Sequence, residues 1–418
     1  MIEELKNIPS KFNLEQFDVS AFSKEKIRDL FRSGKVPTAE MMVDEVLLRA
    51  VKAGATDLHF EPTETELRVR LGSEGALKKL VSLPKDVAEN LTSVLKTKGS
   101  LNSFEKKKPQ EGRFSLNIGN HQFDIRISTV PIMSGERVAL RILQKNTRVA
   151  QLEELGFSSE NLEKFRKLIH RPRGLFIVTG PSSSGKSTTI YAAVNDIQSI
   201  EKNIITVENP IEYKLDFASQ VQTSVDKSLT FVDALRAISR QNPDIIMLGE
   251  IRDAETGIVA AEAALTGNLV LSTLLSSDAI GSIFRLISLG VPTYWIASTL
   301  IGVVYQQLVR KICPTCKEEY QPTEIADPTF INLLSGQAKF FRGKGCDQCE
   351  GSGYRGRTAI HEILTVNDQL RDLIYQNASI LKIKDAARIA GFENIFQDAI
   401  KKVKNGTTTI SEFYRVLE

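Results

Sequence analysis

One octapeptide constrains this chain more than any other stretch: Gly180-Pro181-Ser182-Ser183-Ser184-Gly185-Lys186-Ser187. It follows the apolar run Leu175-Phe176-Ile177-Val178 and precedes Thr188-Thr189-Ile190-Tyr191-Ala192-Ala193, which reads as the opening of a helix. Strand, glycine-bounded loop and helix, in that order, are the context in which G-x-x-x-x-G-K-[ST] counts as a phosphate-binding loop. Successive backbone N–H groups turn inward around a triphosphate, and the helix that follows adds its positive dipole end. Lys186 supplies a point charge to the outer phosphates, and the Ser187 hydroxyl is a ligand for Mg²⁺. The predicted nucleotide-binding set is therefore the octapeptide together with Thr188, and the predicted ligand is Mg·ATP. A glycine turn with a chance lysine would leave the flanking strand and helix unexplained.

The totals add bounds. At 418 residues the chain has room for two or three domains. With 42% hydrophobic residues, 25% charged residues and a net charge of +3, no large basic surface points to direct nucleic-acid binding. No apolar run reaches the roughly 20 residues of a membrane span, and Met1-Ile2-Glu3-Glu4 does not begin a secretory signal. The expected compartment is the cytoplasm.

Along the chain, residues 1–40 read as a polar helical arm, and 41–145 as a small α+β domain. Within that domain a helix is predicted over Thr38–Ala53, strands near Asp57–Glu61 and Leu67–Leu71, a helix from Pro84 to about Lys98, and a basic turn over Lys106–Phe114. Residues 146–170 form a linker and helix. From 171 to 309 apolar and helical segments alternate, which predicts a mostly parallel sheet covered on both faces. Residues 310–358 carry all four cysteines, and 359–418 read as a helical C-terminal part.

Two strand-ending acids complete the nucleotide chemistry. Asp244-Ile245-Ile246-Met247-Leu248-Gly249-Glu250 puts a carboxylate at the end of a buried strand, where Glu250 would hold the Mg²⁺ shell. Ile204-Ile205-Thr206-Val207-Glu208 ends in a second acid, the candidate that orients and polarises the attacking water. The plain alternative for Glu208 is a solvated carboxylate at a strand end. Cys313-Pro314-Thr315-Cys316 and Cys346-Asp347-Gln348-Cys349 are two C-x-x-C knuckles, the pattern of a closed, structural Cys₄ zinc site. An oxidised dithiol pair is the rival, and a reducing cytoplasm disfavours it.

These stretches resemble the secretion ATPase superfamily, and within it the GspE/PilB branch of type II secretion and type IV pilus assembly ATPases. The segments that carry the resemblance are Arg240 to Thr256, Thr56 to Pro62, Gly135 to Leu143 and Gly353 to Thr358, and the similarity runs from about residue 41 to the C-terminus. It implies a small PAS-like α+β domain, a RecA-like ATPase core with a Cys₄ zinc-binding insert, and a hexameric ring that works on an inner-membrane platform protein, peripheral to the membrane. By the same resemblance, Glu208 matches the water-activating acid of the Asp box and Glu250 the Walker B glutamate. Arg113 and Arg126 fall in the stretches whose basic residues help close the nucleotide site; otherwise each is a surface ion pair. The insert is a feature of assembly ATPases rather than of retraction ATPases.

The pattern also departs from the family. Asn209 stands where the Asp box has aspartate. Asn268 and Leu275 stand where the His box has its two histidines, and Ser183 where the loop has glycine. The chain begins close to the second N-terminal domain of its relatives. The loss at 268 and 275 predicts slow turnover, or a divergent nucleotide-binding regulatory or assembly subunit as the alternative to a standard motor.

Overall fold

The structure, a computed structural model, describes residues 37–73, 76–144, 148–223, 229–321 and 339–417, with Pro9 and Leu14 besides. The expected arm over 1–40 otherwise lies outside the described residues. The chain divides into two compact units, Met1–Thr147 and Arg148–Glu418.

The first unit opens with the helix Ala39–Lys52, started by Thr38, whose Oγ1 accepts from Met41 N at 3.2 Å. Met42, Val46, Leu47 and Ala50 form its buried stripe. Six strands follow: β1 (Asp57–Pro62), β2 (Glu66–Ser73), β3 (Ala76–Pro84), β4 (Gln110–Ile118), β5 (His121–Ile132) and β6 (Gly135–Gln144), with the helix Ala88–Lys98 between β3 and β4. They form one antiparallel sheet in the order β3-β2-β1-β6-β5-β4. Its inner face, with Leu58, Phe60, Ile125, Ile127 and Leu140, packs on the two helices. The expected basic turn over Lys106–Phe114 is corrected: the chain is already strand from Gln110. Phe114, Leu116 and Ile118 alternate with polar residues there and commit the segment to a half-buried strand.

The second unit is built on β7 (Gly174–Thr179), β8 (Ile204–Glu208), β9 (Ser219–Gln222), β10 (Ile245–Leu248), β11 (Leu269–Leu274) and β12 (Leu300–Ile312). A two-stranded ribbon, β13 (Lys317–Tyr320) with β14 (Phe340–Gly343), and then β15 (Tyr354–Thr365) complete it. The main sheet runs β15-β12-β7-β11-β10-β8-β9, parallel throughout except for β15. β7, β8, β10 and β11 are buried at every position, which fits strands covered on both faces. One face packs on helices Ser159–Ile169 and Lys186–Ile197. The other packs on Phe231–Ile238, Ala254–Leu265, Ala279–Ser288 and the C-terminal helices Asp368–Tyr375, Ile380–Ile389, Ile395–Lys404 and Ile410–Leu417.

The pairing aligns the carboxyl ends of the strands. Thr179 of β7 lies opposite Leu274 of β11 and Tyr305 of β12, and Leu248 of β10 lies opposite Val207 of β8 and Ser272 of β11. Past Tyr305, β12 leaves β7 and continues to Ile312 paired with β15 alone. Among the described residues no helix is long and apolar enough to cross a membrane.

Candidate functional site

The aligned carboxyl ends form one rim, where open α/β sheets gather their ligands. β7 delivers Gly180 to this rim. Gly180 has φ +150, and a Cβ there would lie 2.3 Å from the carbonyl oxygen of Gln306, so the close approach of β12 admits no side chain. Ser183 has φ +62, the left-handed region that a serine occupies at some cost. Gly185, at φ +88, starts the helix Lys186–Ile197. Lys186 Nζ donates to the carbonyls of Gly180 at 3.0 Å and Pro181 at 2.8 Å. Burial pulls its pKa below the usual lysine value, and the charge of Glu250 pulls it partly back. Lys186 and Glu250 are therefore within electrostatic reach of each other. Ser187 and Thr188 sit in the first helical turn, half-buried.

Glu208 ends β8 and is 3% exposed. Its carboxylate accepts from Thr206 Oγ1 at 2.6 Å, from Gln220 Nε2 at 3.1 Å and from the Tyr191 hydroxyl. Burial pushes its carboxyl up from the ordinary range, and those three donors oppose the push. A carboxylate has about four acceptor sites, so roughly one remains for water. Glu250 follows Gly249 at the end of β10 and accepts from Arg252 Nε at 2.8 Å. It lines a cleft of about 530 Å³ with Asn209, Thr223, Phe231, Arg252 and Asp253.

The two His-box positions part company. Leu275 directly follows β11 at the rim and is exposed. Asn268 precedes β11 at the opposite edge, where its Nδ2 donates to Ala263 O at 2.7 Å and its carbonyl accepts from Gly174 N. Six strand residues at about 3.3 Å each separate the two by roughly 20 Å. Within this chain, then, Leu275 lies at the same rim as the loop and Asn268 lies away from it.

In the first unit Arg113 of β4 lies directly opposite Arg126 of β5, which lies opposite Arg141 of β6. Arg141 pairs with Asp57 at 3.0 Å; Arg113 and Arg126 have no ion-pair partner among the described residues. Like charges side by side on a sheet oppose folding.

The four cysteines converge beyond the rim, where Cys313 directly follows β12 and Cys346 and Cys349 precede β15. Their sulfurs all lie within 4.8 Å of one another. Cys313–Cys346, Cys316–Cys349 and Cys346–Cys349 stand at 3.9, 3.8 and 3.7 Å. A regular tetrahedron with metal–sulfur bonds of about 2.3 Å has edges of about 3.8 Å, so the donor set fits a tetrahedral thiophilic ion. Gly353 N and Cys346 N donate to Cys349 Sγ at 3.3 and 3.2 Å, as a thiolate would want. Thr315 and Gln348 join the two knuckles at 2.8 Å.

Comparison with known proteins fits this arrangement. The family model described as "Type II/IV secretion system protein" matches residues 33–415. The chain belongs to that family. It is 41% identical over 388 residues to the type II secretion system ATPase E of Vibrio cholerae, covering 93% of this chain and 77% of that protein. It is also 41% identical over 380 residues to the type IV pilus assembly ATPase PilB of Thermus thermophilus, covering 90% of this chain and 42% of that one. Among solved structures, the pilus retraction motor PilT with bound ADP superposes with a TM-score of 0.58 at 26% identity, over 89% of this chain and 96% of that one. The Legionella pneumophila ATPase DotB gives 0.64 at 20% identity, over 91% and 95%, which is a likeness of fold. This family member therefore has the fold of secretion and pilus ATPases.

Proposed function

We propose that this chain is a motor ATPase that binds Mg·ATP in the Gly180–Thr188 loop and spends its hydrolysis on pilus or pseudopilus assembly. The observation that carries the reading is the single rim that gathers the loop, Glu208 and Glu250. Backbone N–H groups cradle the phosphates, Lys186 turns from the loop carbonyls to the outer phosphates, and Ser187 and Glu250 hold Mg²⁺. Glu208, poised by burial, takes the attacking water on its remaining acceptor site. Arg113 and Arg126 bring positive charge to the developing transition state of a neighbouring copy in a homohexamer. Cys313, Cys316, Cys346 and Cys349 hold Zn²⁺ as a structural clip. The motor works in the cytoplasm at the inner membrane through a platform protein, without direct contact to nucleic acid.

Titration of the purified chain with a fluorescent ADP analogue and Mg²⁺ tests the reading. Saturable binding that disappears in Lys186→Ala, together with turnover that Glu250→Gln abolishes, is the expected result. A parent chain with no saturable binding ends it.

A further inference from the structure

Strand β12 passes the phosphate loop at the point where it parts from β7, and Gln306 is the residue at that point. It is 1% exposed. Its side-chain amide donates from Nε2 to the carbonyl of Ser184 at 2.8 Å, and its Oε1 accepts from Thr189 Oγ1 at 2.8 Å. Its backbone carbonyl closes on Gly180 from the same side. One residue from 120 positions downstream thus touches the first glycine of the loop, its fifth residue and the first turn of its helix.

The chemistry fixes which way this amide points. The Ser184 carbonyl can only accept, so the opposite orientation of the amide would set oxygen against oxygen. The consequence reaches the phosphates through the planar peptide. In a trans peptide C=O and the next N–H point in opposite directions. Holding the Ser184 carbonyl outward therefore holds the Gly185 N–H inward, toward the place a phosphate takes. A loop that turns its N–H groups in must turn carbonyls out, and a buried carbonyl needs a donor.

We infer that Gln306 is a positioning residue of the nucleotide loop: it clamps the Ser184 carbonyl and the Thr189 hydroxyl and so pre-aims the Gly185 N–H. This rests on the nucleotide reading above. Its test uses the full chain with Gln306→Met, Gln306→Glu and Thr189→Val, reading the dissociation constant of a fluorescent ADP analogue with Mg²⁺ and the melting temperature without nucleotide. Gln306→Met leaves the carbonyl without its donor and weakens binding by about 10- to 100-fold. Thr189→Val keeps the Ser184 bond and loses only a few-fold. Gln306→Glu carries its own control. A protonated carboxyl has one donor and one acceptor, as the clamp requires, whereas a carboxylate has no donor. Relative to the parent, its affinity recovers as pH falls from 8 to 6. If both Gln306 variants bind within twofold of the parent at every pH and only melt earlier, Gln306 is mere packing and the inference is overturned. Should Gln306→Met fail to fold, the pH profile of Gln306→Glu decides. A parent that does not bind at all sinks the nucleotide reading instead, so the two failures are told apart.

Discussion

Replacing Tyr191 with Phe removes one oxygen and leaves the ring in place, 2% exposed and edge-on to Tyr213 at 4.9 Å. That oxygen donates to Glu208 and accepts from Glu212 N at 3.1 Å and Tyr213 N at 3.2 Å. The substitution strands two part-buried backbone N–H groups and takes one donor from a buried carboxylate. At about 1–1.5 kcal/mol for each of the three lost bonds, the loss of stability is roughly 3–4.5 kcal/mol. The second effect is on charge. Burial already raises the Glu208 pKa, and the Tyr191 bond is one of the contacts that hold it down, so Tyr191→Phe raises it further. The acid limb of the kcat/KM profile for ATP hydrolysis then moves to higher pH, because the base is protonated over a wider range. A raised carboxyl pKa means stability that is present at low pH and lost as pH rises through the folded value. The stability gap between variant and parent therefore widens as pH rises above the ordinary carboxylate range. Urea unfolding at several pH values and the pH–rate profile measure both effects. A variant within about 0.5 kcal/mol of the parent, with an acid limb unmoved or moved down, would refute the reasoning.

Other outcomes follow from the same geometry. Glu362 is 3% exposed and accepts from Ala279 N and Ile395 N, the starts of two helices. Burial pushes its carboxyl up to about 7, so parent stability falls by up to about 3 kcal/mol between pH 4.5 and 7 relative to Glu362→Gln, as measured by unfolding at each pH. Ser183→Gly relieves a left-handed serine and raises stability by up to about 1 kcal/mol, with nucleotide affinity unchanged or better. Metal analysis should find about one zinc ion per chain, and Cys316→Ser should lose it and lower the melting temperature. Leu275→His, at the rim, should change turnover, whereas Asn268→His, at the far edge of the sheet, should leave it unchanged within error. A turnover response to Asn268→His alone would contradict the strand placement.

The site was legible wherever a function is written in adjacent residues. The phosphate loop and the two cysteine knuckles each sit on one turn, so spacing encodes them, whereas the acids Glu208 and Glu250 stand out only beside that loop. Gln306 and Tyr191 escaped notice because their partners come from elsewhere: Gln306 meets a loop about 120 residues away, and Tyr191 looked like any apolar helix position. The placement of Asn268 was hidden for the opposite reason. The resemblance pairs positions 268 and 275 as one box, and the fully buried strand between them carries its ends to opposite edges of the sheet. In the first unit β3 was not foreseen, since its first four residues are exposed and Lys78 and Lys79 break the alternation.

Strand β12 has a consequence for how errors in folding are caught. Side chains on a strand alternate with a period of two, so a slip of one residue turns each of them to the other face. Such a slip would pull Gln306 off the phosphate loop and, seven residues later, swing Cys313 out of the sulfur tetrahedron. A slip confined to one side of the irregularity at Arg310–Ile312 would spare the other contact, whereas a slip of the whole strand would lose both. On the proposed zinc reading, metal binding would then report the alignment of a loop that the metal never touches.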